Sequence, residues 1–289
     1  MAKATLEKRK LLRARSQQEL SVVKNTTIAI VGAGHMGVSL ARGFIHSGIK
    51  PKHIIVSGTK GGRLSKLENE HGIVTAVNNR FGASRADIIF IAVKPHVVKE
   101  VMTEIKPLAR GKPLISVAAG LKVNTLLKWM GKDSHVARIM PNIPVATGDG
   151  VIGVYGGTLT RAQKDVLKVL LHGLGARIHV ENENLLDAIT VLSGSGPAVV
   201  SFLVGVFKNS ATSLGISNKD AESIALHTFM GTLSNIWKES MSPDEMEHMV
   251  ATRGGVTEAI ISKLEAARVQ KALLGALKEG LKRIKKISQ

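Results

Sequence analysis

The sequence predicts an α/β chain, with a doubly wound sheet in its first part and an all-helical domain after it. Three observations carry this. An apolar, β-rich run at residues 27–31 feeds Gly32-Ala33-Gly34-His35-Met36-Gly37 and then a helical stretch. Strand-like and helix-like segments then alternate to about residue 182, the pattern of a sheet with crossover helices. After Glu183 the strand-like runs stop and helical periodicity takes over. The expected division is a basic N-terminal extension (1–25), a Rossmann-type dinucleotide-binding domain (26–182) and an all-helical domain (183–289).

A strand leading into G-x-G-x-x-G and then a helix forms a phosphate-binding turn. Gly32 allows the tight turn, Gly34 lets backbone approach a pyrophosphate, and Gly37 lets helix pack on strand. The turn residues Gly32, Gly34, His35, Met36 and Gly37 are therefore candidate cofactor contacts. Unpaired N–H groups and the helix dipole favour an anion there. The alternative is a glycine turn of some other α/β protein, and the strand and helix on either side argue against it.

The elements follow in order. A first helix is expected at 38–46, ended by Gly48, and a second strand at 53–57. NAD sites usually carry Asp or Glu at the end of that strand. Here Ser57-Gly58-Thr59-Lys60-Gly61-Gly62-Arg63 has no carboxylate. The hydroxyls of Ser57 and Thr59 and the cations of Lys60 and Arg63 suit a 2′-phosphate, so NADPH is the expected cofactor and NADH the second candidate. A helix at 64–71 and a strand at 73–77 come next, then Asn78 and Asn79. The run 86–93 is almost wholly apolar, as a strand covered on both faces should be, and ends in Lys94-Pro95 at the sheet's carboxyl edge. Strands are expected at 114–117, 136–140, 150–155 and 177–180. Thr160 and Gln163 form a capping box before a helix running through Leu171.

In the second part, 185–193 reads as helix, broken at Gly194-Ser195-Gly196-Pro197. A long apolar helix follows at 198–214, stopped by Gly215. Ser217 and Asp220 cap the next, which runs through Trp237. Ser242-Pro243 starts another, and Thr257 opens the last, with Leu273, Leu277, Leu281 and Ile284 on one face. A helix apolar all round, as at 198–214, must be buried on all sides, and packing against its copy in another subunit would do this.

Composition narrows the chemistry. The chain has 289 residues, no cysteine and a formal charge of +18. Disulfides, thiolate catalysis and thiolate-bound metals are excluded. The histidines show no H-x-x-x-H or H-E-x-x-H spacing, so no metal is expected. The cations cluster at both ends, but aromatic residues for base stacking are scarce, which favours a basic enzyme surface for anionic ligands over nucleic-acid binding. Strictly apolar runs are shorter than a membrane span, and 1–25 lacks a signal-peptide core. A cytoplasmic protein without membrane partners is the expectation.

Several stretches, taken together and in order, resemble the pyrroline-5-carboxylate reductase family over about 27–284. They are IAIVGAGHMG, Ile91-Ala92-Val93-Lys94-Pro95, Ser116-Val117-Ala118-Ala119-Gly120, Arg138-Ile139-Met140-Pro141-Asn142-Ile143-Pro144, the segment from Asp187 through Ser193-Gly194-Ser195-Gly196-Pro197-Ala198, and Gly254-Gly255-Val256-Thr257. The resemblance implies a helical dimerisation domain interleaved with a partner's, a homodimer or ring of dimers, and NAD(P)H-dependent reduction of 1-pyrroline-5-carboxylate to proline. It implies that Asn79 contacts the adenosine side and that Ala92, Val93, Lys94, Pro95 and Ala118 line the nicotinamide side. For Val93 and Ala118 the alternative is core packing, and for Lys94 a solvated lysine.

The substrate imino acid would lie on Thr252, Gly254, Gly255, Val256 and Thr257. The glycine N–H groups would bind its carboxylate, and Thr257, the candidate catalytic residue, would offer a hydroxyl to ring nitrogen or carboxylate. A protonated imine is already a good hydride acceptor, so positioning is the main task. The family commonly reads Ser-Pro-Gly-Gly-Thr-Thr where this chain has Thr252-Arg253-Gly254-Gly255-Val256-Thr257. Gly205 and Met249 also stand where the family often has an acid or a polar residue. Two further functions compete: reduction of another cyclic imine, and a non-catalytic dinucleotide-binding role.

Overall fold

In a computed structural model, residues 25–59 and 61–287 are described. The expected basic extension at 1–25, save its last residue, and the candidate Lys60 lie outside them. One compact unit comprises the described residues up to Ser195 together with those from Arg283 onward, and a second is formed by Gly196–Lys282.

The first unit is built on eight strands: β1 (Ile28–Val31), β2 (Ile54–Ser57), β3 (Val74–Ala76), β4 (Ile88–Ile91), β5 (Leu114–Ser116), β6 (Val136–Pro141), β7 (Gly150–Tyr155) and β8 (Gly175–His179). They are ordered β3-β2-β1-β4-β5-β6-β7-β8. The first six follow the dinucleotide-binding order, which changes direction at β1 and β4 and so opens a crevice at their carboxyl ends. Pairing is parallel except between β6 and β7, where Arg138 faces Tyr155 and Pro141 faces Ile152. The short 142–149 connection permits only an antiparallel return.

The helices here are α1 (His35–His46), α2 (Gly62–His71), α3 (Asn79–Arg85), α4 (Pro95–Ile105), α5 (Val123–Met130), α6 (Arg161–Leu170) and α7 (Leu185–Ile189). They cover both sheet faces. Alternate β1 residues divide between two cores: Ile28 and Ile30 pack with Leu40 and Phe44, and Ala29 and Val31 with Val98 and Met102. The capping box at Thr160 and Gln163 is present. Helix α1 starts at His35, three residues before the expected start at 38, so the last part of the glycine turn is already helical. Helices α3, α4 and α5 are additions to the sequence reading. The first is capped by Asn78, whose side chain accepts from Arg80 N–H at 2.8 Å, and the second opens on Pro95.

One buried ion pair stands out. Arg138 on β6 is 1% exposed. Its Nη1 donates to Glu183 Oε1 at 2.9 Å, and the same oxygen accepts from Val123 N–H, at the start of α5, at 2.8 Å. The pair ties β6 and α5 to the segment leading into α7.

The second unit contains α8 (Gly196–Ser213), α9 (Asn218–Lys238), α10 (Pro243–Val250), α11 (Val256–Ala266) and most of α12 (Val269–Ile287). Three expectations need correction. The break before the long helix is narrower than expected, because α7 passes into a π-helical turn at Thr190–Gly194, only Ser195 forms a bend, and the helix resumes at Gly196. The last helix is two helices. Arg268 takes a left-handed φ of 53° and its N–H bonds back to Glu265 at 2.8 Å, which ends α11 and restarts the chain as α12. Val256, not Thr257, opens α11. Start signals fared better: Ser217 accepts from Asp220 N–H, and Ser242 and Glu245 form a capping box. The Ser242 backbone N–H and hydroxyl hold the Glu245 carboxyl below its ordinary pKa.

The long apolar helix is largely uncovered within one chain. Of α8 only Ala211 is buried, while Phe202 is 70% exposed. By length and composition alone, Leu185–Ser213 is also apolar enough to cross a membrane, its most apolar 18-residue stretch having a mean hydropathy of 1.8.

Candidate active site

The glycine turn shows why it must be glycine. Gly32 has φ +119°, and a Cβ there would stand 2.5 Å from the Ala92 carbonyl oxygen. A Cβ on Gly37 would collide with the Gly32 carbonyl, whereas one on Gly34 would meet nothing within 4 Å. The turn is thus pressed onto β1 and β4 at two glycines and open at the third. Gly32 N–H donates to Ser57 at 2.8 Å, and Ala92 N–H to Val31 at 2.8 Å, fixing the turn between neighbouring strand ends. Gly34 caps α1 without a side-chain hydrogen bond, and no acid stands in the first turn. The first N–H groups of a helix have no intrahelical acceptor, so this end of α1 remains a donor set for an anion.

Above the turn lies a cleft of about 600 Å³. Its floor is Gly32, Ala33 and Gly34. One wall is Gly58, Thr59, Gly61, Gly62 and Arg63, and the other is Ala92, Val93, Lys94 and Val97. Arg63 reaches across, with Nη1 donating to the Ala33 carbonyl at 3.4 Å. The open cradle, absent carboxylate and facing cation fit a phosphorylated dinucleotide.

The sequence candidates therefore divide. Gly32, Gly34, Thr59, Arg63, Ala92, Val93 and Lys94 line the cleft. Ser57, Asn79 and Ala118 do not line it. Ser57 is 1% exposed and donates through Oγ to Asn79 Oδ1 at 2.9 Å. Asn79 Nδ2 in turn donates to Glu104 at 2.7 Å. These two side chains link β2, α3 and α4. Ala118 is 3% exposed, in the core with Val98 and Leu126. Gly37 is buried in the turn, Met36 packs on the core, His35 is exposed at the head of α1, and Pro95 begins α4. The cleft adds Ala33, Gly58, Gly61, Gly62 and Val97. The three glycines clustered after β2 were a visible signal of close backbone approach. Val97, three residues beyond Lys94 on a helix, is recognisable only once α4 is assigned.

In the second unit, the loop between α10 and α11 carries Thr252, Gly254 and Gly255. Both glycine N–H groups nominated as carboxylate donors are already engaged. Gly254 N–H donates to Glu258 Oε2 at 2.6 Å, and Gly255 N–H to the Thr252 carbonyl at 2.9 Å. The donors left open are one step further on, in the first turn of α11 at Val256 and Thr257, where Gly255 provides no side-chain cap. Arg253 is exposed, Val256 is 80% exposed and Thr257 half-buried. Among the described residues no three His, Asp or Glu side chains are grouped to hold a metal.

Residues 183–287 match the family described as pyrroline-5-carboxylate reductase dimerisation, and 27–120 the family described as NADP oxidoreductase, coenzyme F420-dependent. A pyrroline-5-carboxylate reductase of Arabidopsis thaliana is 31% identical over 91% of this chain and 95% of its own. That of Pseudomonas aeruginosa is 31% identical over 86% and 93%. The solved pyrroline-5-carboxylate reductase of Coxiella burnetii is 30% identical and covers 92% of this chain and 99% of its own, with a TM-score of 0.83. At 23% identity and a TM-score of 0.84, the Plasmodium falciparum pyrroline carboxylate reductase, solved with NADP bound, shares the fold. A dinucleotide-type sheet with its glycine cradle, followed by the matching helical region, completes the assignment: the chain belongs to the pyrroline-5-carboxylate reductase family.

Proposed function

We propose that the protein reduces 1-pyrroline-5-carboxylate to L-proline with NADPH. The observation that carries this is the cleft over the glycine turn, open at Gly34, faced by Thr59 and Arg63 and free of any carboxylate in its lining. Gly32, Gly34, Thr59, Arg63, Ala92, Val93 and Lys94 would hold the dinucleotide, with Lys60 beside them in the sequence. Bound there, the nicotinamide supplies the hydride that reduces the imine carbon. Ser57 and Asn79 link β2, α3 and α4 and do not line the cleft. The substrate carboxylate would take the open N–H groups of Val256 and Thr257, where the helix end favours an anion. The Thr257 hydroxyl would hydrogen-bond the ring nitrogen and hold the ring in register, positioning being the main source of rate. On this reading 26–182 is the dinucleotide-binding domain and 183–289 the dimerisation and substrate domain. The uncovered faces of α8 and α9 support a homodimer, and a ring of dimers extends the same reading.

A second reading, reduction of a different cyclic imine, is favoured by one observation. Arg253 stands exposed beside the substrate loop, where the family commonly has proline. NADPH oxidation measured against a panel of cyclic imino acids separates the two. The first reading expects the five-membered 5-carboxylate to have the highest kcat/KM. A higher value for another imine favours the second reading, and no turnover of any imine would contradict both.

A further inference from the structure

Beside the dinucleotide cleft lies a second groove of about 490 Å³, between α1 and α2. Its charges are unbalanced. Arg42 comes from α1 and Arg63 and Lys66 from α2, and the imidazoles of His35 and His71 stand beside them. Glu70 is the one acid in the lining and stands 3.7 Å from Lys66, an exposed contact that holds the lysine weakly. Arg42 and Lys66 do not line the dinucleotide cleft, so its phosphates do not account for them. The wall is apolar at Val38, Leu67 and Ile143, the last being 45% exposed. Clustered cations in a concave surface concentrate anions, and guanidinium groups pair with phosphate through two parallel hydrogen bonds.

We propose that this groove is a second anion site, for a small organic polyphosphate whose charged end meets Arg42 and Lys66 and whose apolar body rests on Val38, Leu67 and Ile143. Arg63 lines both this groove and the dinucleotide cleft. Its bond to Ala33, at 3.4 Å, is long and easily given up. An occupant here would therefore compete for Arg63 and weaken cofactor binding, and the cofactor would weaken the occupant reciprocally.

The test uses the full-length protein, first without NADP⁺ and then saturated with it, so that the dinucleotide cleft is filled in the second arm. Calorimetric titration with tripolyphosphate should show saturable binding of one per chain, and adenosine triphosphate, with the same charged end and a planar body, should bind more tightly. Arg42→Gln with Lys66→Gln should weaken both by about tenfold or more, the scale of losing charge-assisted hydrogen bonds, while retained NADP⁺ affinity shows that the first unit is folded. In the unaltered protein, tripolyphosphate should also move the imidazole resonances of His71. No binding either in the absence of NADP⁺ or at its saturation, or equal binding in the double variant, would overturn the site, and an affinity unchanged by added NADP⁺ would overturn the competition for Arg63. Adenosine triphosphate binding no more tightly than tripolyphosphate would overturn the organic part of the assignment.

Discussion

The two units use similar apolar residues to opposite ends. In the first, the β1 residues Ile28, Ala29, Ile30 and Val31 are at most 1% exposed, because helices cover both faces of the sheet. In the second, Phe202, Leu233 and Trp237 are 70, 58 and 85% exposed, and α9 buries only Ala221 and Ala225. A helix becomes stable in water chiefly by burying its apolar face. One unit completes that burial within a single chain, and the other presents apolar surface of the kind that marks an interface. The difference assigns folding to the first unit and assembly to the second.

The largest expected effect lies at the ion pair inside the first unit. Glu183→Ala leaves Arg138 buried with no carboxylate, since its Nε and Nη2 already have no partner among the described residues. The expected loss is about 3–5 kcal/mol, the range for removing one partner of a buried pair. Arg138→Met combined with Glu183→Gln removes both charges together while leaving an acceptor for Val123 N–H, and should cost about 1 kcal/mol or less. Denaturant unfolding of the two variants measures the asymmetry, and equal losses would show that the pair does not act as a buried charge needing its partner.

A smaller effect sharpens the role of the second unit. Thr257→Ala should lower kcat/KM about tenfold to a hundredfold, the value of one hydrogen bond to a charged group, while the NADPH dissociation constant stays unchanged. Steady-state kinetics alongside direct NADPH binding tests this. A fall in NADPH affinity as large as that in kcat/KM would move Thr257 out of the substrate role. Smallest is the cofactor preference. Arg63→Ala should weaken NADPH by about tenfold through its lost phosphate contact and leave NADH nearly unchanged. Equal losses would remove the 2′-phosphate from Arg63.

Legibility in the sequence followed the same division. The first unit's strands were readable because β1 and β4 are continuous apolar runs, and the cleft because Gly32, Gly34 and Gly37 are spaced for it. Helices α3 and α5 were harder. Each is too short to fill a periodic window, and α3 begins with the polar residues Asn79 and Arg80. Ser57 and Asn79 have the chemistry of ligand contacts, and only the fold shows their hydrogen bonds turned to one another and to Glu104. The break at Arg268 carried no glycine or proline to announce it. The engagement of Gly254 by Glu258 depends on side-chain geometry that spacing does not report.

The most direct test of the division between the units is the state of the intact protein in solution. Sedimentation velocity and equilibrium at micromolar concentration should show a dimer or a multiple of dimers. Replacing Phe202 with glutamate should drive that species toward monomer, by placing a charge on a face that association desolvates. A well-folded monomer of the unaltered chain at that concentration would contradict the account, because it would mean that the exposed faces of α8 and α9 need no second copy.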